Sequence, residues 1–231
     1  MKIAFIIFAR TDSKRLPNKI FLPICNQTLL GLVLKRIKLI NVNFPIIIAT
    51  SDRKKDDDLE QFANLNKLKI FRGPINNVIL RAIQCCNYYQ LDGFVRICAD
   101  RPFLPYNIIE EGIKIFSKKN YEFITNHLEP TYPKGCMTEI ISKDALMKAF
   151  KSNLNSDQKE HITKYFYENP NEFKIYQLPK VDLSWAKVNL SLDTIEDKNR
   201  TEWIIKNSLN KPENISLREC VKLANKWSNL D

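Results

Sequence analysis

Short apolar runs recur along the first half of the chain, each ending in polar residues. Ile3–Phe8 is the first, and Ile46–Thr50, Lys69–Phe71 and Phe94–Ile97 follow. Uninterrupted runs of this kind predict strands covered on both faces, because a strand with one wet face alternates. Between them the period becomes helical. Leu29–Leu39 carries apolar residues at 29, 30, 33, 34 and 37, which fall on one helical face. Asp56–Asn64 opens with three aspartates, whose charge suits a helix N-terminus. Val78–Tyr89 and Ile108–Phe116 predict two further helices. Strand and helix thus alternate over the first 118 residues. The pattern predicts an α/β fold with a doubly wound, mostly parallel sheet.

After Tyr121 the rhythm is less regular. Strands are predicted at Phe123–Asn126, Met137–Ile141 and Phe173–Leu178, and helices at Asp144–Phe150 and Lys159–Glu168. Pro133 and Gly135 set a turn within Thr131–Gly135. Val188–Leu192 reads as a returning strand. Thr194 with Asp197 predicts a helix cap, and Ser216 with Glu219 a fuller capping box before the last helix. We read residues 1–231 as one domain, with 123–180 as an inserted α+β lobe or dimerisation arm.

Composition changes the picture only at its margins. Apolar residues make up 44% and charged residues 27% of 231, the balance of a folded globular protein. The net charge of +10 admits nucleic acid, an anionic surface or a phosphorylated small molecule as partner. The cations do not interleave with aromatics as a base-stacking platform requires, which argues against nucleic acid. Lys206, Lys211, Arg218, Lys222 and Lys226 read as a solvated helical face. Six cysteines include no Cys-x-x-Cys pair, and only His127 and His161 could join them, so a zinc site is not expected. Adjacent Cys85 and Cys86, with no signal peptide, suit reduced thiols in a cytoplasm. No run reaches the length of a membrane span.

The chemistry concentrates where the first strand ends. Arg10, Lys14, Arg15 and Lys19 lie within ten residues, at the edge where open α/β sheets bind their ligands. A phosphate tail is the matching partner. Neither G-x-x-x-x-G-K-[ST] nor G-x-G-x-x-G occurs, and the chain holds only five glycines. Side-chain cations and exposed loop amides would therefore hold the phosphates. Asp100, beyond the fourth strand, faces the same edge; a turn before Pro102 is its plainer role. Asp193 follows another apolar run and could equally be a helix-start residue. Together the two supply the carboxylates that Mg²⁺ uses beside nucleotide phosphates.

Taken in series, these residues resemble the sugar-activating cytidylyltransferases, which include the CMP-sialic acid and CMP-Kdo synthetases. The string Ala9-Arg-x-x-Ser-Lys-Arg-Leu-Pro-x-Lys19 carries the likeness. Ala49–Asp52, Phe71–Gly73, Asp100 with Pro102, Thr131–Gly135, Glu160–Thr163 and Asp193–Asp197 continue it to about residue 205. It is nearest to the spore-coat polysaccharide, acylneuraminate cytidylyltransferase-like branch.

The resemblance implies a Rossmann-like nucleotidyltransferase that moves CMP from CTP to a sugar acid and releases pyrophosphate. It implies Arg10, Lys19 and Asp100 as the catalytic set, with Ser13, Lys14 and Arg15 shaping the loop. It implies Ala9, Ser51, Arg72, Arg81 and Ala99 around the base and ribose, and Mg²⁺ on Asp100 and Asp193. Tyr132, Glu139 and His161 would meet the sugar; His161 reads equally as a packed polar residue. A homodimer is also implied. Three positions depart from the branch. Asn18 stands for a glycine, which Asn's tolerance of left-handed angles accommodates. Ala99 stands for another glycine, and Met137 for an acid. The last two motivate an alternative, a catalytically weak nucleotide- or sugar-binding protein on the same fold.

Overall fold

The computed structural model describes residues 1–13 and 15–229. Lys14, a candidate nucleotide contact, lies outside the described residues. In chain order, β1 (Ile3–Phe8) leads through the basic loop to a hairpin, β2 (Pro23–Ile24) and β3 (Gln27–Thr28), and then α1 (Leu29–Ile37). Next come β4 (Ile46–Ser51), α2 (Asp57–Leu65), β5 (Lys69–Gly73), α3 (Val78–Tyr88), β6 (Gly93–Cys98) and α4 (Tyr106–Phe116). The middle of the chain gives β7 (Phe123–Thr125), β8 (Glu139–Ser142) and α5 (Lys143–Lys151), then α6 (Ser156–Glu160), α7 (Lys164–Glu168) and β9 (Ile175–Gln177). Helices α8 (Ile195–Asn207) and α9 (Leu217–Trp227) close it.

Seven strands form one mixed sheet in the order β5-β4-β1-β6-β8-β7-β9. The first four are mutually parallel, as their unbroken apolar runs predict. Alternate side chains leave on opposite faces. Phe5, Ile7, Val95 and Ile97 pack with α1, α2 and α4, whereas Ala4, Ile6, Ile47 and Phe94 pack with α3 and α5. From β1 the chain winds outward through β4 and β5, then crosses back to place β6 on the other flank of β1. That reversal opens a crevice beyond the C-terminal ends of β1 and β6, where open α/β sheets take ligands.

Segment 123–180 adds three strands to the main sheet: β8 pairs antiparallel with β6 and with β7, and β9 runs parallel to β7. Three readings from the sequence are corrected. Val188–Leu192 is not a strand. Its side chains Val188, Leu190 and Leu192 are buried against α8 and α9, but its ladder is a single bridge from Asn189 to Lys134. Gly135 shapes that contact at φ +92°, where a Cβ would sit 2.6 Å from the Ser191 nitrogen. Lys159–Glu168 is two short helices, because α6 ends at His161 and Ile162 and Thr163 turn into the core. Last, the full reciprocal capping box is Thr194 with Asp197. Ser216 does cap α9, but the Glu219 carboxylate accepts instead from Ser208 and Asn210.

Candidate active site

The loop after β1 folds back on itself. Asn18 adopts a left-handed conformation (φ 53°, ψ 23°) and donates its backbone N–H to the Thr11 carbonyl at 3.0 Å. A short helical turn then begins at Lys19 and aims its side chain into the crevice. The Lys19 ammonium donates to Asp100 Oδ2 at 2.8 Å and to Asp193 Oδ1 at 2.7 Å. Asp193 reaches Asp100 for a backbone reason: the Leu192 N–H donates to the Asp100 carbonyl at 2.9 Å. Asp197 Oδ2 then accepts from the N–H groups of both Asp193 and Thr194, each at 2.9 Å, and fixes the turn. Burial works against the charges here, yet the carboxylates raise the pKa of Lys19 and the ammonium lowers that of Asp193. Two carboxylates predicted to converge do converge, on a cation supplied by the loop.

The loop is also tied to β4. Asp56, completely buried, accepts from the Thr11 N–H at 2.8 Å and the Thr11 hydroxyl at 2.9 Å. Its other oxygen takes a close hydrogen bond from Ser51 and an Arg53 contact at 3.2 Å. Arg53 pairs in turn with Asp12 at 2.6 Å. The sequence reading used Asp56 only as a helix start and missed this anchor. Its position before two more aspartates concealed a side chain that turns inward.

The remaining candidates divide. Arg10 lies beside Glu160 at 2.6 Å and Asp12 at 3.5 Å, joining the loop to α6. Arg15 is mostly exposed and approaches Asp193 at 3.1 Å, while the Ser13 hydroxyl accepts from the Leu16 N–H at 3.4 Å. Ala9 and Ala99 are buried at the ends of β1 and β6. Ser51 is buried with its hydroxyl on Asp56, and Arg72 is engaged by Asp57, Glu60 and the carbonyls of Ser51 and Arg53. Arg81 is 2% exposed, and its Nε and Nη1 have no partner among the described residues. Burial, then the nearby Arg10 charge, lowers its pKa to about 10.

Tyr132 is buried and donates its hydroxyl to the Pro179 carbonyl at 2.9 Å. Glu139 is buried between Arg96 and Arg101 rather than at an open surface. His161 is exposed and pairs with Asp157 at 3.3 Å. Among the described residues no group of three or more His, Cys, Asp or Glu side chains is gathered as a metal cage. For Mg²⁺ the fit rests on Asp100 and Asp193, hard oxygen donors that already bracket a cation beside the loop.

The mixed seven-strand sheet, doubly wound in its parallel half, is a nucleotidyltransferase fold. The solved CMP:2-keto-3-deoxy-manno-octonic acid synthetase, complexed with CTP, shares this fold at a TM-score of 0.66 and 14% identity, over 90% of this chain and 100% of its own. The chain belongs to the cytidylyltransferase family, whose model matches residues 4–223. A cytidylyltransferase from Leptospira borgpetersenii superposes at a TM-score of 0.91 with 29% identity, covering 100% of this chain and 96% of that one. The uncharacterized protein MJ1063 of Methanocaldococcus jannaschii is 35% identical over 198 residues, 85% of this chain and 80% of its own. The spore coat polysaccharide biosynthesis protein SpsF of Bacillus subtilis is 26% identical over 232 residues, 97% and 94% of the two. Among the described residues no helix is long and apolar enough to cross a membrane.

Proposed function

We propose that the protein transfers CMP from CTP to a sugar acid, a nonulosonic or related ulosonic acid, for surface polysaccharide biosynthesis. The observation that carries this reading is the Lys19 ammonium held between Asp100 and Asp193 at the switch point of the sheet. An incoming triphosphate competes with the carboxylates for that ammonium and frees them as ligands. Mg²⁺ held by Asp100 and Asp193 would neutralise charge on the departing pyrophosphate. Lys19 and Arg10 grip the phosphates, and Ser13, Lys14 and Arg15 shape the loop around them. Ala9, Ser51, Arg72, Arg81 and Ala99 surround the base and ribose. Tyr132, Glu139 and His161 form the sugar side. An acceptor hydroxyl oxygen bonds to the α-phosphorus, the bond from that phosphorus to pyrophosphate breaks, and the hydroxyl proton passes to solvent. Positioning and charge neutralisation carry such a displacement.

The likeness to the spore coat polysaccharide biosynthesis protein SpsF supports the polysaccharide setting, and the fold is one that a CMP:2-keto-3-deoxy-manno-octonic acid synthetase also has. Residues 1–231 act as one nucleotidyltransferase domain in the cytoplasm, paired as a homodimer through 123–180. The test incubates the protein with CTP or UTP, Mg²⁺ and a panel of ulosonic acids. Pyrophosphate and a CMP-sugar by mass spectrometry are the expected products. CTP binding without turnover on any acid would instead favour a nucleotide-binding protein on this fold.

A further inference from the structure

The last helix carries a row of cations that no carboxylate answers. Arg218, Lys222 and Lys226 recur every fourth residue along α9 and are exposed, while Cys220, Leu223 and Ala224 of the same helix are buried. Among the described residues Arg218 and Lys222 make no ion pair, unlike Lys198 of α8, which holds Glu202 at 3.0 Å. The carboxylates nearest to the row are engaged elsewhere. Glu219 accepts from Ser208 and Asn210, and Asp182 accepts from the Ser184 N–H at 2.9 Å. By charge alone this row is an ordinary solvated face.

The fold sets apolar side chains beside it. Leu183–Lys187 winds into a short 3-10 turn that lies against α9. Its Trp185 is half-buried and, with Val181, Asp182, Arg218, Val221 and Lys222, lines a cleft of about 480 Å³. Leu183 stands out of the same turn 73% exposed, and Lys187 ends the turn in solvent. One exposed leucine is commonplace. Here it adjoins an indole and a cleft whose wall carries two unpaired cations.

Charge selects an anionic partner, and Leu183 selects among anionic partners. A nucleic acid offers no apolar phase to a leucine, and a single half-buried indole is not a platform for successive bases. An acidic protein would answer the cations but would need an apolar socket matched to Leu183. An anionic bilayer meets both needs at once. Cations face headgroup phosphates there, and leucine and tryptophan settle where headgroups give way to acyl chains.

We propose that this face docks the protein reversibly on an anionic lipid bilayer. Arg218, Lys222, Lys226 and Lys187 lie toward the headgroups, and Leu183 and Trp185 reach the acyl boundary. None of these residues belongs to the crevice of Lys19, Asp100 and Asp193, so docking is independent of the reaction proposed above.

Vesicle flotation of the whole protein tests this, with phosphatidylglycerol mixed into phosphatidylcholine or with phosphatidylcholine alone. Binding is expected to the mixed vesicles only, and to weaken as salt rises, because exposed charges are screened. Arg218→Gln with Lys222→Gln is expected to weaken it about 30-fold, since each cation near such a surface contributes about fivefold. Leu183→Ser is expected to weaken it about tenfold and to leave the melting temperature unchanged, because the side chain is largely exposed in solution. Lys118→Gln with Lys119→Gln removes the same charge from exposed positions after α4, and is expected to leave binding within about twofold. No binding by the wild-type protein overturns the proposal. An equal loss in the two double variants means diffuse attraction by net charge and also overturns it. Vesicle binding that Leu183→Ser leaves unchanged means that the face serves another polyanion, a nucleic acid or an acidic protein, and the bilayer is then excluded.

Discussion

The two charged clusters at the end of β6 are near mirror images. In one, a single ammonium, Lys19, lies between two carboxylates, Asp100 and Asp193. In the other, a single carboxylate, Glu139, lies between two guanidinium groups, Arg96 and Arg101. The first is partly open, with the Asp100 side chain 32% exposed, and solvent-facing Arg15 approaches it from outside. The second is sealed by Tyr167, Thr163 and β7. An open pair exchanges partners cheaply, because water compensates each charge as it leaves. A sealed pair cannot, because the abandoned charge stays buried. The open cluster is thus suited to change partners when a nucleotide and a metal ion arrive, and the sealed one to fix β6, β8 and α7 together.

The sharpest way to break this contrast is Asp100→Asn. It removes one carboxylate from the open cluster while leaving the backbone carbonyl that receives Leu192. Turnover is expected to fall by ~10³-fold or more, with the circular dichroism spectrum and melting temperature little changed. Activity near that of the wild type would remove Asp100 from the metal site and leave the open cluster a structural ion pair.

Glu139→Gln asks the converse question of the sealed cluster. It strands two buried guanidinium groups, and such a loss costs about 3–5 kcal/mol of folding stability. Chemical denaturation measures it. Acid provides an independent check. Burial pushes the Glu139 pKa up, but Arg96 and then Arg101 more than offset it and hold the value at about 2, against an ordinary 4.5. A carboxylate depressed on folding contributes its stability above the unfolded value and loses it as pH falls through the folded one. Wild-type stability is expected to drop between about pH 4.5 and 2, and Glu139→Gln is expected to lack that component. Equal acid sensitivity in the two proteins would show that Glu139 is not held by its arginines.

The two clusters were also unequally legible in the sequence. Parallel strands buried on both faces announce themselves as apolar runs, so β1, β4, β5 and β6 are readable, and with them the edge that carries Asp100. Asp193 was readable because it too follows an apolar run, although Val188–Leu192 buries its side chains without joining the sheet. The sealed cluster was not. Arg96 interrupts a strand, where a charged residue ordinarily signals a wet face, and its partner comes from β8, distant in the chain. Arg36, to which the sequence reading gave no role, is another such case: it is fully buried on α1 and donates to the carbonyls of Leu104, Glu213 and Ile215. Buried cations satisfied by remote carbonyls leave no local signature. The hairpin β2–β3 is two residues a side, too short to show a period.

The smallest expected effect concerns how the open cluster is held: by its charges alone, or also by the backbone that aims Lys19. Asn18 precedes Lys19 in the left-handed region, which Asn tolerates better than most residues and glycine accepts freely. Asn18→Ala is expected to cost about 1 kcal/mol, read as a lower denaturation midpoint, because alanine keeps the Cβ that crowds the following carbonyl and loses the short polar side chain that eases Asn into this region. Asn18→Gly is expected to stay within a few tenths of a kcal/mol of the parent, the conformational ease of glycine set against its greater freedom when unfolded. The KM for CTP discriminates further. If the backbone turn aims the ammonium, Asn18→Ala raises that KM while Asn18→Gly leaves it unchanged. If both variants bind CTP as the parent does, the carboxylates alone hold Lys19, and the loop is a tether with no aiming role.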